Sequence, residues 1–185
     1  EQFMKSYDRQ WEYGLEAFDR QAIITNEAER YYLEADRRYQ LSARQSFEWS
    51  IRANRDLGDD PTDEEREEKE RAQEYADFYR RQEIRDRRDR NLRLNQLNFE
   101  NRRLAQCHLV LANFVNQGKN NMILFENNFL DVIQDDDDLK TVYVDFTEKM
   151  KSVIAKFPPM PTVQVPAKPD ARLEQKALSK EKRDK

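Results

Sequence analysis

The stretch Thr62 to Gln117 reads TDEEREEKERAQEYADFYRRQEIRDRRDRNLRLNQLNFENRRLAQCHLVLANFVNQ and contains neither glycine nor proline. All three glycines and all six prolines of the 185-residue chain lie outside it. Because these two residue types are the strongest helix breakers, the stretch predicts one helix of about 84 Å at 1.5 Å per residue. The order Thr62-Asp-Glu-Glu65 is a capping box that predicts the start of this helix, and Gly118 predicts its end.

Residues 1–57, ahead of this long charged helix at 58–117, carry a second helical pattern that is rich in aromatic side chains. Apolar residues recur there at steps of three and four. We expect one bent helix or two helices separated near Thr25, because Asn26 and Glu29 resemble a capping pair. The side chains of this aromatic stripe that we expect to contact partner proteins are Phe3, Tyr7, Trp11, Phe18, Tyr32, Tyr39, Phe47 and Trp49.

Residues 118–157 predict short helices that fold back on residues 104–117 and form a small helical core. The acidic run Asp135 to Asp138 precedes an amphipathic segment that ends at Phe157, as expected for a helix with acids at its N-terminus. Prolines then keep residues 158–185 in an extended tail. Three apolar residues of this tail are predicted to dock into grooves on a partner: Met160, Val163 and Val165.

The composition indicates an elongated all-α protein. Hydrophobic residues make up 37% and charged residues 38% of the chain, whereas ordinary domains have about 45–50% and 25%. A disordered chain would be poor in aromatic residues, but this one has 11%. Long helices that cover their aromatic side chains with partner proteins satisfy both observations.

The charge is distributed unevenly along the chain. The net charge of −4 argues against a protein whose main task is to coat nucleic acid. Residues 80–103, however, carry nine arginines and four acidic residues. We expect Arg85 and Arg88 to contact acidic protein partners, and contact with RNA is the alternative for this segment.

The sequence offers no pattern that identifies a catalytic or metal site. Cys107 and His108 are adjacent, but neighbours on a helix point about 100° apart and no third group orients them. The acidic run at 135–138 lacks the glycine and the ligand spacing of a calcium loop. We therefore expect no catalytic residue, no metal and no cofactor.

These observations predict a non-catalytic accessory or scaffold subunit of a large eukaryotic multiprotein assembly. A mitochondrial membrane complex, such as an ATP synthase or a respiratory complex, is favoured because the chain starts at Glu1 like a processed protein and is acidic. The alternatives are an accessory protein of an organellar ribosome or another ribonucleoprotein, and a cytoplasmic protein bound along a cytoskeletal or axonemal filament. No apolar run reaches the roughly 18–20 residues of a membrane span, although the aromatic stripe suits peripheral contact with a membrane surface.

Overall fold

The computed structural model describes residues 2–128 and 135–161, and these residues form three α-helices. Helix α1 spans Gln2–Ala53, α2 spans Asp63–Asn128 and α3 spans Asp137–Lys156. The prediction of an all-α fold with long helices is confirmed. At 1.5 Å per residue, α1 is about 78 Å long.

Helices α1 and α2 pack against each other as an antiparallel hairpin. Three pairs of facing residues show this arrangement: Gly14 contacts Leu111, Thr25 bonds to Glu100, and Ala53 packs with Ala72. In each pair the two residue numbers sum to 125, as expected for two antiparallel helices in one constant register. Of the two alternatives expected for residues 1–57, two helices separated near Thr25 is wrong, because α1 runs through this position as one helix. Contact with α2 over the whole length explains why a local capping pattern does not interrupt α1.

The seam between the two helices follows a heptad pattern, in which steps of four and three residues alternate. In α1 the seam consists of Tyr7, Trp11, Gly14, Phe18, Gln21, Thr25, Ala28, Tyr32, Ala35, Tyr39, Ser42, Ser46, Trp49 and Ala53, all buried or half-buried. In α2 it consists of Ala72, Ala76, Tyr79, Glu83, Asp86, Arg90, Arg93, Leu97, Glu100, Leu104, Cys107, Leu111, Phe114 and Gly118. The hairpin is therefore a two-stranded coiled coil with polar side chains in its central part.

The turn between α1 and α2 combines a left-handed glycine with a capping box. Gly58 has a φ of 76°, the left-handed conformation that glycine adopts without strain. The Thr62 hydroxyl accepts a hydrogen bond from the Glu65 amide at 3.2 Å, and the Glu65 carboxylate accepts one from the Thr62 amide at 2.9 Å. The capping box at the start of α2 is thus confirmed.

Helix α3 lies against the open end of the hairpin. Asp136 caps it, since its carboxylate accepts hydrogen bonds from the amides of Asp138 and Leu139. The buried side chains of α3 are Phe146, Met150 and Val153, and they pack into clusters with residues of both α1 and α2. The small core predicted near 104–157 therefore exists, but three aromatic residues of α1, Tyr7, Trp11 and Phe18, are among its buried members.

The predicted end of α2 at Gly118 is wrong. The helix continues to Asn128, and Gly118 is a buried residue in its interior. A Cβ atom at this position would collide with the Sδ and Cε atoms of Met150 and would lie 2.6 Å from the Tyr7 hydroxyl. Gly118 is therefore a position of close approach between the three helices, not a helix stop.

Candidate interaction surface

Four of the aromatic residues expected to contact partners are buried by this chain itself. Tyr7, Trp11, Phe18 and Tyr32 all belong to the core. The Tyr7 ring lies 4.1 Å from the ring centroid of Phe114, and the Trp11 ring stacks on the same phenylalanine at 5.7 Å. The expectation that these four rings need a foreign surface is corrected, because α2 and α3 supply the apolar contacts.

The remaining aromatic candidates of α1 differ in exposure. Tyr39 and Trp49 are half-buried in the seam, where Trp49 lies 4.7 Å from the Tyr75 ring. Phe47 points outward with 67% of its surface exposed. At Phe3 the structure describes the backbone alone, as the first turn of α1. Among the side chains of the predicted stripe that the structure describes, Phe47 is thus the exposed one that is available to a partner.

Of the three candidates in the tail, one lies within the described residues and two lie outside them. Met160 packs, half-buried, against the core cluster of this chain, so it does not need the groove on a partner that was expected to receive it. Val163 and Val165 lie outside the described residues. The start of the tail at Pro158 is held by His108, whose Nε2–H donates to the Pro158 carbonyl at 3.0 Å.

The arginines of α2 that face α1 have acidic partners. Arg90 lies 3.7 Å from the Asp36 carboxylate of α1, and its guanidinium stacks over the Tyr39 ring at 4.1 Å. Arg38 of α1 in turn reaches Asp89 of α2 at 3.1 Å. These two ion pairs link α1 to α2.

The opposite face of α2 carries a second set of residues at heptad spacing, which we call the outer stripe. Its members are Phe78, Arg81, Arg85, Arg88, Leu92, Asn95, Phe99 and Arg102, and all of them are exposed. Alternating steps of three and four residues place them on one helix face. Phe78, Leu92 and Phe99 are 54%, 65% and 52% exposed. The outer stripe therefore combines three exposed apolar side chains with four arginines on one helix face.

The arginines of the outer stripe differ from the inward ones in their pairing. Arg81, Arg85, Arg88 and Arg102 have no acidic group within 4.0 Å among the described side chains. Arg85 and Arg88, the two arginines selected from the sequence, thus lie exposed and unpaired. The sequence analysis did not select Leu92 and Phe99. Their heptad spacing is nevertheless visible in the sequence, because Phe99 lies seven residues after Leu92 and Leu92 lies fourteen residues after Phe78.

The groups that could have suggested chemistry have structural roles. The His108 ring packs between Phe18 and Phe157, at 5.8 Å and 4.9 Å between ring centroids. Cys107 is a half-buried member of the core. Across residues 2–128 and 135–161, no three acidic, histidine or cysteine side chains converge as metal ligands. His108 and Cys107 therefore pack α3 and the start of the tail against the hairpin.

A depression of about 430 Å³ lies beside the turn between α1 and α2. The rings of Trp49 and Tyr75 line it together with charged side chains of both signs, including Arg55 and Glu68. Arg52 stacks over Trp49 at 4.6 Å. The depression is a solvent-open groove between the helix ends.

None of the helices within the described residues carries a stretch that is long and apolar enough to cross a membrane. Comparison of the chain with protein-family models, with curated proteins and with solved structures gives no match. The function is therefore inferred from the seam, the outer stripe and the other exposed side chains.

Proposed function

We propose that this chain is a non-catalytic structural subunit of a larger protein assembly, in which the hairpin of α1 and α2 is a spacer between partners. The observation that carries the proposal is that exposed arginines and aromatic rings line the outside of a rod about 78 Å long. The outer stripe contains arginines without an acidic partner among the described side chains, together with exposed phenylalanine rings. The seam residues fill the space between α1 and α2. A binding subunit uses its exterior in this way, whereas a catalytic subunit surrounds a substrate.

The distribution of apolar side chains supports this proposal. Among the described side chains, twenty large apolar ones are exposed, and of the 16 buried hydrophobic residues five are alanines. A hairpin with so small an interior gains little from its own burial, so further burial against partners adds stability. Phe47 and Ile51, one turn apart on α1, form a second exposed apolar pair.

The test is the native size of the assembly that contains the tagged chain. We expect the chain to migrate in a native gel as part of a particle far larger than its own 22.4 kDa and to purify with a fixed set of proteins. Charge reversal of the outer stripe should reduce recovery of at least one of them. A chain that is entirely monomeric in its own cell would overturn the proposal.

The identity of the assembly stays a prediction from sequence. A mitochondrial membrane complex, such as an ATP synthase or a respiratory complex, is the favoured host, and a filament of the cytoskeleton or axoneme is an alternative. Fractionation of the tagged chain between mitochondria, filaments and cytoplasm distinguishes these hosts.

A second candidate is an accessory protein of an organellar ribosome or another ribonucleoprotein. The unpaired Arg81, Arg85, Arg88 and Arg102 favour it, since arginines contact phosphate oxygens and the neighbouring phenylalanine rings stack on bases. Binding of RNA that weakens steeply with salt would support this candidate.

A further inference from the structure

We infer that the outer stripe of α2 docks an acidic amphipathic helix of a partner protein. This inference rests on the proposed function and adds the chemical class of one partner. The stripe spans about 36 Å from Phe78 to Arg102 at 1.5 Å per residue. A partner helix of about three heptads matches this length.

The spacing of the apolar residues favours a helix as the occupant. Leu92 and Phe99 lie seven residues apart, and Phe78 lies two heptads before Leu92. A second helix with apolar residues at the same heptad interval meets each of these side chains in turn, as the seam between α1 and α2 already does on the opposite face. Helix α2 would then be the middle helix, with α1 on one side and the partner helix on the other.

The charge of the stripe determines the sign of the partner. Its described members include four arginines and no acid, and none of these arginines has a partner within the described part of the chain. Two of the four acids of this segment, Glu83 and Asp89, pair instead with Arg87 and Arg93 nearer the seam. A helix with glutamates beside its apolar line complements these arginines.

RNA and a second copy of this chain are the competing occupants. Leu92 is the most exposed apolar residue of the stripe and has no ring on which a base could stack. A second copy would add four more unpaired arginines to the same interface, where like charges repel. An acidic helix buries the leucine and neutralises the arginines at once.

The experiment uses the full chain and two synthetic helices of about four heptads, both with leucine at the core positions. One peptide carries glutamate at the flanking positions and the other carries lysine. Binding is measured by fluorescence anisotropy at low and at high salt, together with binding of an oligouridine of about 20 nucleotides. We expect the glutamate peptide to bind, with weaker binding at high salt, and the lysine peptide not to bind.

The variant that tests the stripe is Arg81→Glu/Arg85→Glu/Arg88→Glu. We expect it to weaken binding of the glutamate peptide by about tenfold or more, because it reverses three charges of the stripe. The matched control Arg9→Glu/Arg20→Glu/Arg44→Glu makes the same change of charge at exposed positions of α1 and should change affinity by less than about threefold. The neutral variant Arg81→Gln/Arg85→Gln/Arg88→Gln repeats the test if the reversed chain loses helicity in circular dichroism.

The apolar part of the stripe is tested by Leu92→Ser/Phe99→Ser. This variant should also weaken binding of the glutamate peptide by about tenfold. The inference is overturned by equal binding of the two peptides, by tighter binding of the oligouridine than of the glutamate peptide, or by concentration-dependent dimerisation that the arginine variant abolishes. Failure of the peptide test with recovery of the chain in a large particle refutes the acidic helix and leaves the proposed subunit function in place.

Discussion

Gln21 donates a hydrogen bond from Nε2 to the Oε2 atom of Glu100 at 2.6 Å across the seam, where both side chains are buried. The other carboxylate oxygen of Glu100 accepts a hydrogen bond from Gln96 at 2.9 Å. We expect Gln21→Leu to lower the free energy of unfolding by about 3 kcal/mol, because it leaves a carboxylate oxygen buried without its donor. Urea denaturation followed by circular dichroism measures the change.

The double variant Gln21→Leu/Glu100→Leu is the decisive comparison. It replaces both polar partners with apolar side chains of similar size, so we expect it to be within about 1 kcal/mol of the original chain. The two single variants and the double variant form a double-mutant cycle. Additive effects would show that the bond across the seam contributes nothing specific.

The polar seam also shows where sequence reasoning stopped. The absence of glycine and proline between Thr62 and Gln117 and the apolar spacing of residues 1–57 predicted the long helices. The capping box at Thr62 and the acidic run at 135–138 predicted two helix starts. The partner of each apolar face is not a local property, however, so the aromatic stripe was assigned to foreign proteins although α2 and α3 cover Tyr7 and Trp11. The heptad register of α1 was missed because Gln21 and Thr25 are seam residues without an apolar side chain.

Gly118 illustrates the same limit. Glycine in a helix interior costs about 1 kcal/mol relative to alanine, so the sequence favours a helix end there. The reason for glycine is a tertiary contact with Met150 and Tyr7, which only the packed structure reveals. The outer stripe was detected in part, because arginine pairs were counted along the helix without separating its inner face from its outer face.

Tyr7 predicts a pH dependence of stability. Burial, and secondarily the charge of Asp8, raises the pKa of Tyr7 to about 12, whereas a tyrosine in an unfolded chain has a pKa of about 10. The folded state holds the phenolic proton more tightly, so its contribution to stability is complete below pH 10 and is lost as pH rises through 12. Tyr7→Phe should remove this part of the alkaline loss of stability.

The measurement is the free energy of unfolding of the original chain minus that of Tyr7→Phe, recorded across this alkaline range. Subtraction removes the titration of lysines and of the other tyrosines. Tyr13→Phe is the matched control, because Tyr13 is 64% exposed. A difference for Tyr7→Phe that stays constant with pH would contradict the prediction.

The close approach at Gly118 predicts that a larger side chain will separate α3 from the hairpin. Gly118→Val places three carbon atoms where Met150 and Tyr7 already lie, and overpacking of this kind costs about 1–3 kcal/mol. We expect faster hydrogen exchange of the α3 amides, with the centre of the hairpin unchanged. Asn116→Val, at an exposed position of the same helix, is the control, and unchanged protection of α3 in Gly118→Val would argue against the contact.

The inward and the outward arginines of α2 should differ in how much an arginine-to-lysine substitution changes the free energy of unfolding. Arg90 is 9% exposed, lies 3.7 Å from Asp36 and stacks over Tyr39. Lysine has neither the planar group for this stacking nor the forked donors, so Arg90→Lys should cost about 1–2 kcal/mol of unfolding free energy. Arg88→Lys on the outer stripe should change it by less than about 0.5 kcal/mol, because Arg88 is exposed and unpaired.

Chemical denaturation of both variants in parallel measures this contrast, since each keeps the net charge. The outer stripe responds in a different assay: Arg88→Lys retains a positive charge, so binding of the acidic peptide should weaken less than in the charge-reversed triple variant. Equal destabilisation by Arg90→Lys and Arg88→Lys would mean that the stacking of Arg90 on Tyr39 does not stabilise the hairpin. A larger effect at position 90 would instead separate the arginines that stabilise the fold from those available to a partner.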